Sequence, residues 1–257
     1  MSVYLENTQN NSDVIVASVF IYLDPDITIK YKAIIFDLFG TLVENLLSHQ
    51  YREMLVEITN ILSLEQERFI NLWLEYSEER MTGHISNANC LATVCRKFGL
   101  EITEDLSNNC MNVFTDCVRL RLEPPTTTLT ALSDLRERGY TIGLTSNCSD
   151  EVPFLWDNSP LSEIIPDPVF SCSVGFQKPD RQIYQIAAEK MNTNPGECLF
   201  VDDNAEYLTG AMDAGMTGVL IQDRTLNSSI SNVKKSTGYK IASLREMGAL
   251  IANIKLH

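Results

Sequence analysis

From Pro125 onward, short apolar runs alternate with longer stretches of helical periodicity, and that alternation restricts the fold more than any other feature of the chain. The order is a helix over 129–138, a strand over 140–145, a short helix near 152–156 and a strand around 168–170. A helix over 181–191, a strand over 198–201, a helix over 206–214, a strand over 218–221 and a closing helix over 241–254 follow. Strands separated by helices return parallel to one another, because parallel neighbours need a long crossover. The expectation is an α/β fold, a parallel sheet wrapped by helices, which receives ligands at the carboxyl ends of its strands. The sequence has no internal repeat and no GxGxxG, so a dinucleotide site is disfavoured.

One more strand precedes this series. Tyr31-Lys32-Ala33-Ile34-Ile35-Phe36 is a mostly apolar run, and Asp37-Leu38-Phe39-Gly40-Thr41 follows at once, so the strand ends in an acid and a tight turn. Residues 45–122 contain no convincing strand. Tyr51, Met54, Leu55, Ile58, Ile61 and Leu62 share one helical face. Ser63 with Gln66 predicts a capping box that opens a second helix through Phe69, Leu72, Trp73 and Tyr76. A third helix through Ala88, Leu91, Cys95 and Phe98 should stop at Gly99, and a fourth covers Leu106, Cys110, Val113, Phe114 and Cys117. The expected organisation is an N-terminal extension (1–30) with a β-branched run at 14–22, a core built from 31–44 and 124–257, and a four-helix insertion (45–123).

Charge narrows the partners. The 34 acids outnumber the 20 bases, a formal charge of −14. Such a chain lacks the basic surface that neutralises a nucleic-acid backbone, and an anionic membrane repels it. A small anionic molecule is admissible as substrate if a cation offsets the field at the site. The run 14–23 is too short to span a bilayer, and no Lys or Arg precedes it as in a signal peptide. Seven cysteines without a CxxC pair read as buried thiols in a reducing compartment, so a cytoplasmic monomer or homodimer is expected.

Four polar spots follow four of the strands: Asp37; Ser146-Asn147; Lys178, in Gly175-Phe176-Gln177-Lys178-Pro179-Asp180; and Asp202-Asp203-Asn204. Singly, each is the ordinary chemistry of a turn or a helix cap. In a parallel sheet all four project toward one crevice. There a carboxylate can act as nucleophile. A hydroxyl, an amide and an ammonium can hold the oxygens of an anion, and two acids facing the nucleophile can hold Mg²⁺.

In this order the spots resemble the four motifs of the haloacid dehalogenase-like hydrolase superfamily. They read Phe36-Asp37-Leu38-Phe39-Gly40-Thr41-Leu42, Leu144-Thr145-Ser146-Asn147, Lys178-Pro179-Asp180 and Phe200-Val201-Asp202-Asp203-Asn204, with Gly210-Ala211 and Ala214-Gly215-Met216 in the helix after the fourth. The likeness covers about 31–254 and implies a Rossmann-like core with an inserted helical cap. It implies Asp37 as the covalently modified nucleophile, with Ser146 and Lys178 steadying it and the transferred group. Asn147, Gly40 and Thr41 would contact substrate, and Asp37, Asp202, Asp203 and the carbonyl of Phe39 would hold Mg²⁺. Phosphatases of this family usually carry a second Asp two residues after the nucleophile, as proton donor; here that residue is Phe39. General acid–base help is worth about 10²–10⁴ in rate, so ester cleavage should be handicapped. The haloacid dehalogenases tolerate an aromatic there, but they work without metal, lack the acid pair and carry an Arg after the cap tryptophan, whereas Leu74 follows Trp73. The reading that follows is a Mg²⁺-dependent phosphatase of a small phosphorylated metabolite. Its alternatives are a metal-independent dehalogenase-type hydrolase and a non-catalytic binding protein on the same fold.

Overall fold

The computed structural model describes residues 31–223, 225–226 and 238–254; the extension 1–30, with its run 14–22, lies outside them. Six strands form one sheet: β1 (Ala33–Phe36), β2 (Thr141–Ser146), β3 (Val169–Phe170), β4 (Cys198–Asp202), β5 (Thr217–Ile221) and β6 (Tyr239–Ile241). Their order is β3-β2-β1-β4-β5-β6, and every neighbouring pair is parallel. The apolar character of β1 without alternation now has its cause. Ile34 and Phe36 face one hydrophobic cluster with Leu144 and Val201, while Ala33 and Ile35 face another with Phe200 and Leu220. Both faces of the strand are buried, as parallel sheets require.

Eleven α-helices accompany the sheet among the described residues. Five lie between β1 and β2: α1 (Ser48–Leu62), α2 (Gln66–Glu75), α3 (Ser77–Met81), α4 (Asn87–Lys97) and α5 (Glu104–Arg119). The four expected helices are present, and the short α3 is added between the second and the third. Their apolar faces close on a cluster of their own, in which Leu55, Ile58, Leu91 and Trp73 are buried. Trp73 stacks on Phe69 and Phe114, with ring centroids 6.2 Å and 4.9 Å away. The remaining helices are α6 (Thr126–Glu137), α7 (Glu151–Leu155), α8 (Ser171–Val174), α9 (Arg181–Lys190), α10 (Ala205–Asp213) and α11 (Met247–Ile254). No helix among the described residues is long and apolar enough to cross a membrane.

Two local expectations are corrected. Ser63 does not cap α2; it ends α1 in the left-handed conformation (φ 53°), and its amide donates back to Asn60. The cap of α2 is Glu65, whose carboxylate accepts from the amides of Glu67 and Arg68 at 3.0 and 2.8 Å. A carboxylate at the helix N-terminus satisfies two orphan donors and favours the macrodipole. The closing helix is also shorter than the expected 241–254. Tyr239–Ile241 extends the sheet against the open side of β5, Ser243 stays extended (φ −157°, ψ 162°), a 3-10 turn spans Leu244–Glu246, and the α-helix begins only at Met247.

Candidate active site

Register builds the site. Phe36 lies opposite Leu144 on one side and Val201 on the other. The next residues, Asp37, Thr145 and Asp202, therefore leave the three central strands at one level. The amide of Asp37 donates to the carbonyl of Val201 at 2.9 Å, which extends the ladder one residue beyond β1. The chain then turns sharply. Leu42 and Val43 both donate to the carbonyl of Leu38, and Gly40 takes φ 84°, a conformation that a side chain would strain.

Lys178 comes from the other side, on the loop between α8 and α9. Its ammonium, 1% exposed, lies 2.5 Å from Asp37 Oδ1 and 2.8 Å from Asp202 Oδ2. Two contacts hold this loop. Asn147 accepts from the Lys178 amide at 2.7 Å and donates to its carbonyl at 2.9 Å, so the Asn147 side-chain amide clamps the lysine backbone. Beneath it, Gly210 of α10 lies so near that a Cβ there would meet the carbonyl oxygen of Pro179 at 2.4 Å. Only glycine allows that approach. Burial by itself would lower the Lys178 pKa, but Asp202 and Asp37 more than offset it and hold the ammonium above the ordinary lysine range.

Asp202 is fully buried, and both its oxygens have partners, because Oδ1 accepts from the amide of Asn204 at 2.7 Å. Asp37 retains 9% side-chain exposure, and its Oδ2 has no partner among the described residues. One carboxylate oxygen each from Asp37, Asp202 and Asp203 lies within 4.8 Å of the others. That donor set fits a hard divalent cation, which takes carboxylate oxygens. Ser146 Oγ, also buried, has no hydrogen-bond partner among the described residues, an orphan that an anion's oxygen would satisfy.

A cavity of about 990 Å³ opens over this edge. Asp37, Phe39, Asn147, Lys178 and Asp203 form its floor, whereas Gly40, Thr41, Ser146 and Asp202 are buried and lie outside its wall. Phe39 is half-buried and packs against the larger core cluster, while its backbone bridges to Val43. The opposite wall is helical and includes Tyr51, Leu55, Ile70, Leu74 and Phe114. Sequence reasoning passed over two polar members of the wall, Arg80 and Glu151. Glu-Glu-Arg at a helix end reads as a solvated turn, and no periodic signal marks Arg80 as buried. His84 is exposed and pairs with Thr82.

A model of the haloacid dehalogenase-like hydrolase family matches residues 31–215. Bifunctional epoxide hydrolase 2 of Sus scrofa is 31% identical over 118 residues, 44% of this chain but only 21% of that enzyme. (S)-2-haloacid dehalogenase 4A of Burkholderia cepacia is 26% identical over 201 residues, covering 74% of this chain and 82% of its own length. Glyceraldehyde 3-phosphate phosphatase of Methanothermobacter thermautotrophicus is 28% identical over 119 residues, 45% of this chain and 52% of that enzyme.

Proposed function

The chain belongs to the haloacid dehalogenase-like hydrolase family, and on that premise we propose that it is a Mg²⁺-dependent phosphatase of a small phosphorylated metabolite, acting through an aspartyl intermediate on Asp37. The observation that carries this reading is the acid cluster of Asp37, Asp202 and Asp203 beside Lys178. Asp203 and Asp37, with the carbonyl of Phe39, would hold the metal. Asp202, with both oxygens engaged, steadies Lys178. Bound there, Mg²⁺ would neutralise charge on the phosphoryl oxygens.

The chain's own residues supply the rest. Lys178 fixes Asp37 through Oδ1 and leaves Oδ2 to attack phosphorus, so that the ester oxygen departs and an acyl phosphate forms on Asp37. Water then cleaves the acyl phosphate and regenerates the carboxylate. Ser146 Oγ, unpartnered but buried outside the cavity wall, would have to turn into the cavity to donate to a phosphoryl oxygen. Asn147 holds the lysine loop, so its contribution to substrate is indirect. Phe39 offers no proton to the leaving oxygen.

Phe39 and the (S)-2-haloacid dehalogenase relative favour a second reading, metal-independent displacement of halide by Asp37. A screen of phosphorylated metabolites and 2-haloacids, each with and without Mg²⁺, separates the two. The expected result is phosphate release that stops on chelation. Halide release unaffected by chelation would overturn the phosphatase reading, and ligand retention without turnover would identify a binding protein.

A further inference from the structure

Arg80 carries a full positive charge into the wall of the same cavity, and its surroundings do not balance it. The residue is 2% exposed, and no carboxylate pairs with it among the described residues. Its guanidinium stacks over the ring of Trp73, 4.1 Å from the centroid. Its hydrogen bonds go to neutral oxygens and are long: Asn87 Oδ1 at 3.4 Å, the Trp73 carbonyl at 3.4 Å and the Tyr51 hydroxyl at 3.5 Å. Ordinary N–H···O bonds run about 2.7–3.2 Å. Nε has no hydrogen-bond partner among the described residues, and the Cys90 thiol beside the side chain, pushed up to about 11 by burial, brings no negative charge. A buried charge without a counter-ion is strongly disfavoured unless a ligand completes it.

Tyr51 adds a second donor. Its hydroxyl oxygen accepts from Trp73 Nε1 at 2.8 Å and from Arg80, so its own proton is left to give to a third group. The other charged neighbours do not fill this role. Glu151 reaches Arg80 only through Asn87, which donates to it at 2.6 Å, and burial pushes the Glu151 carboxyl up. Arg52, the other arginine of the wall, is exposed and paired with Glu67. One unit of positive charge on a planar fork, beside one hydroxyl donor, matches a carboxylate better than a second phosphate dianion.

We propose that Arg80 and Tyr51 form the receptor for a substrate carboxylate at the end remote from Asp37, so that the substrate is a phosphorylated carboxylic acid. The proposal rests on the phosphatase reading for the identity of the other end. Its test has a binding arm that needs no turnover. Phosphonocarboxylates of two to six carbons and their carboxamides are titrated into the full chain by calorimetry. At the best-fitting length the carboxylate should bind at least about tenfold tighter than its amide, roughly one good charge-assisted bond. In Arg80→Gln that ratio should fall to within about threefold, and in Tyr51→Phe it should fall part of the way. A ratio within about threefold at every length in the wild type, or one that survives Arg80→Gln, overturns the receptor. Should Arg80→Gln fail to fold, the wild-type ratio and Tyr51→Phe still decide. The turnover arm compares carboxyphenyl phosphates with their carboxamides. Hydrolysis without carboxylate preference sinks the receptor and leaves the phosphatase reading standing. Arg80-dependent binding with no hydrolysis does the reverse.

Discussion

Replacing Lys178 by Met removes a single ammonium and leaves the shape of the side chain nearly intact. The structure fixes what is lost. Asp202 is 0% and Asp37 9% exposed at the side chain, and each has its nearest positive charge in Lys178, at 2.8 and 2.5 Å. Breaking a buried pair by removing one partner costs about 3–5 kcal/mol, and here two acids lose the same partner. The upper half of that range is expected near pH 8, against a total stability of about 5–15 kcal/mol. The loss should depend on pH. Burial pushes the Asp202 carboxyl up, and Lys178 pulls it down. In the variant the upward push is unopposed, so the folded state binds a proton more tightly than the unfolded chain does. Stability then rises as pH falls through the folded pKa, and the deficit shrinks. In the wild type Lys178 opposes that push, so the same dependence should be weaker. The raised Lys178 pKa gives a contribution fully present below the ordinary lysine value of about 10.4, lost only as pH rises through the folded pKa. Urea unfolding of both proteins at pH 5 and pH 8, with m unchanged, reads the difference. An equal deficit at the two pH values, or one below about 1 kcal/mol at pH 8, refutes the electrostatic account of the site.

Asp37→Asn should abolish phosphate release while leaving the unfolding transition in place; activity within about tenfold of wild type removes Asp37 from the mechanism. Asp203→Asn should raise the half-saturating Mg²⁺ concentration more than Asp202→Asn, whose main effect should be lost stability, since its partner is Lys178. Equal or reversed shifts in a Mg²⁺ titration would discard that ranking. With Phe39 offering no proton, wild-type kcat/KM should climb steeply as the leaving oxygen becomes more acidic. Phe39→Asp should restore alkyl-ester turnover by about ten- to a hundredfold. A flat dependence across a phosphate-ester series would mean that another group protonates the leaving oxygen.

The polar residues at the strand ends could be read from the sequence because parallel strands present their carboxyl ends on one edge. Once the apolar runs are found, Asp37, Ser146 and Asp202 fall into place without knowledge of any packing detail. Lys178 is different: α8 separates it from β3, so only the order of the motifs marks it, and its clamp by Asn147 spans 31 residues and leaves no local pattern. What stayed hidden depends on contacts between distant elements. Arg80 is buried because α3 folds it over Trp73, and nothing in Glu78-Glu79-Arg80 distinguishes it from a solvated turn. Ser63 is the better cap by residue type, and that Glu65 takes the role follows only from where α1 stops. The strand Tyr239–Ile241 is recruited by the free edge of β5 and not by its own three residues.

Asp203 and Phe39 point to different branches of the family, but they act on different quantities. A carboxylate of Asp203 within 4.8 Å of that of Asp37 repels it by on the order of 3 kcal/mol at an effective dielectric of about 20, whatever else Asp203 touches. An anionic substrate brought to the same place meets a repulsion of similar size, roughly a hundredfold in affinity. A halide-displacing site gains nothing from that acid. A site that binds a divalent cation turns the repulsion into attraction, and substrate affinity should then fall by about a hundredfold on chelation. Phe39 has no such effect on binding. It withholds a proton from the leaving oxygen, a penalty confined to the rate and severe only for basic leaving groups. On the phosphatase reading proposed above, the substrate expected to satisfy both residues is a phosphoryl group on an acidic oxygen, such as an acyl, enol or aryl phosphate, and not a simple alkyl ester.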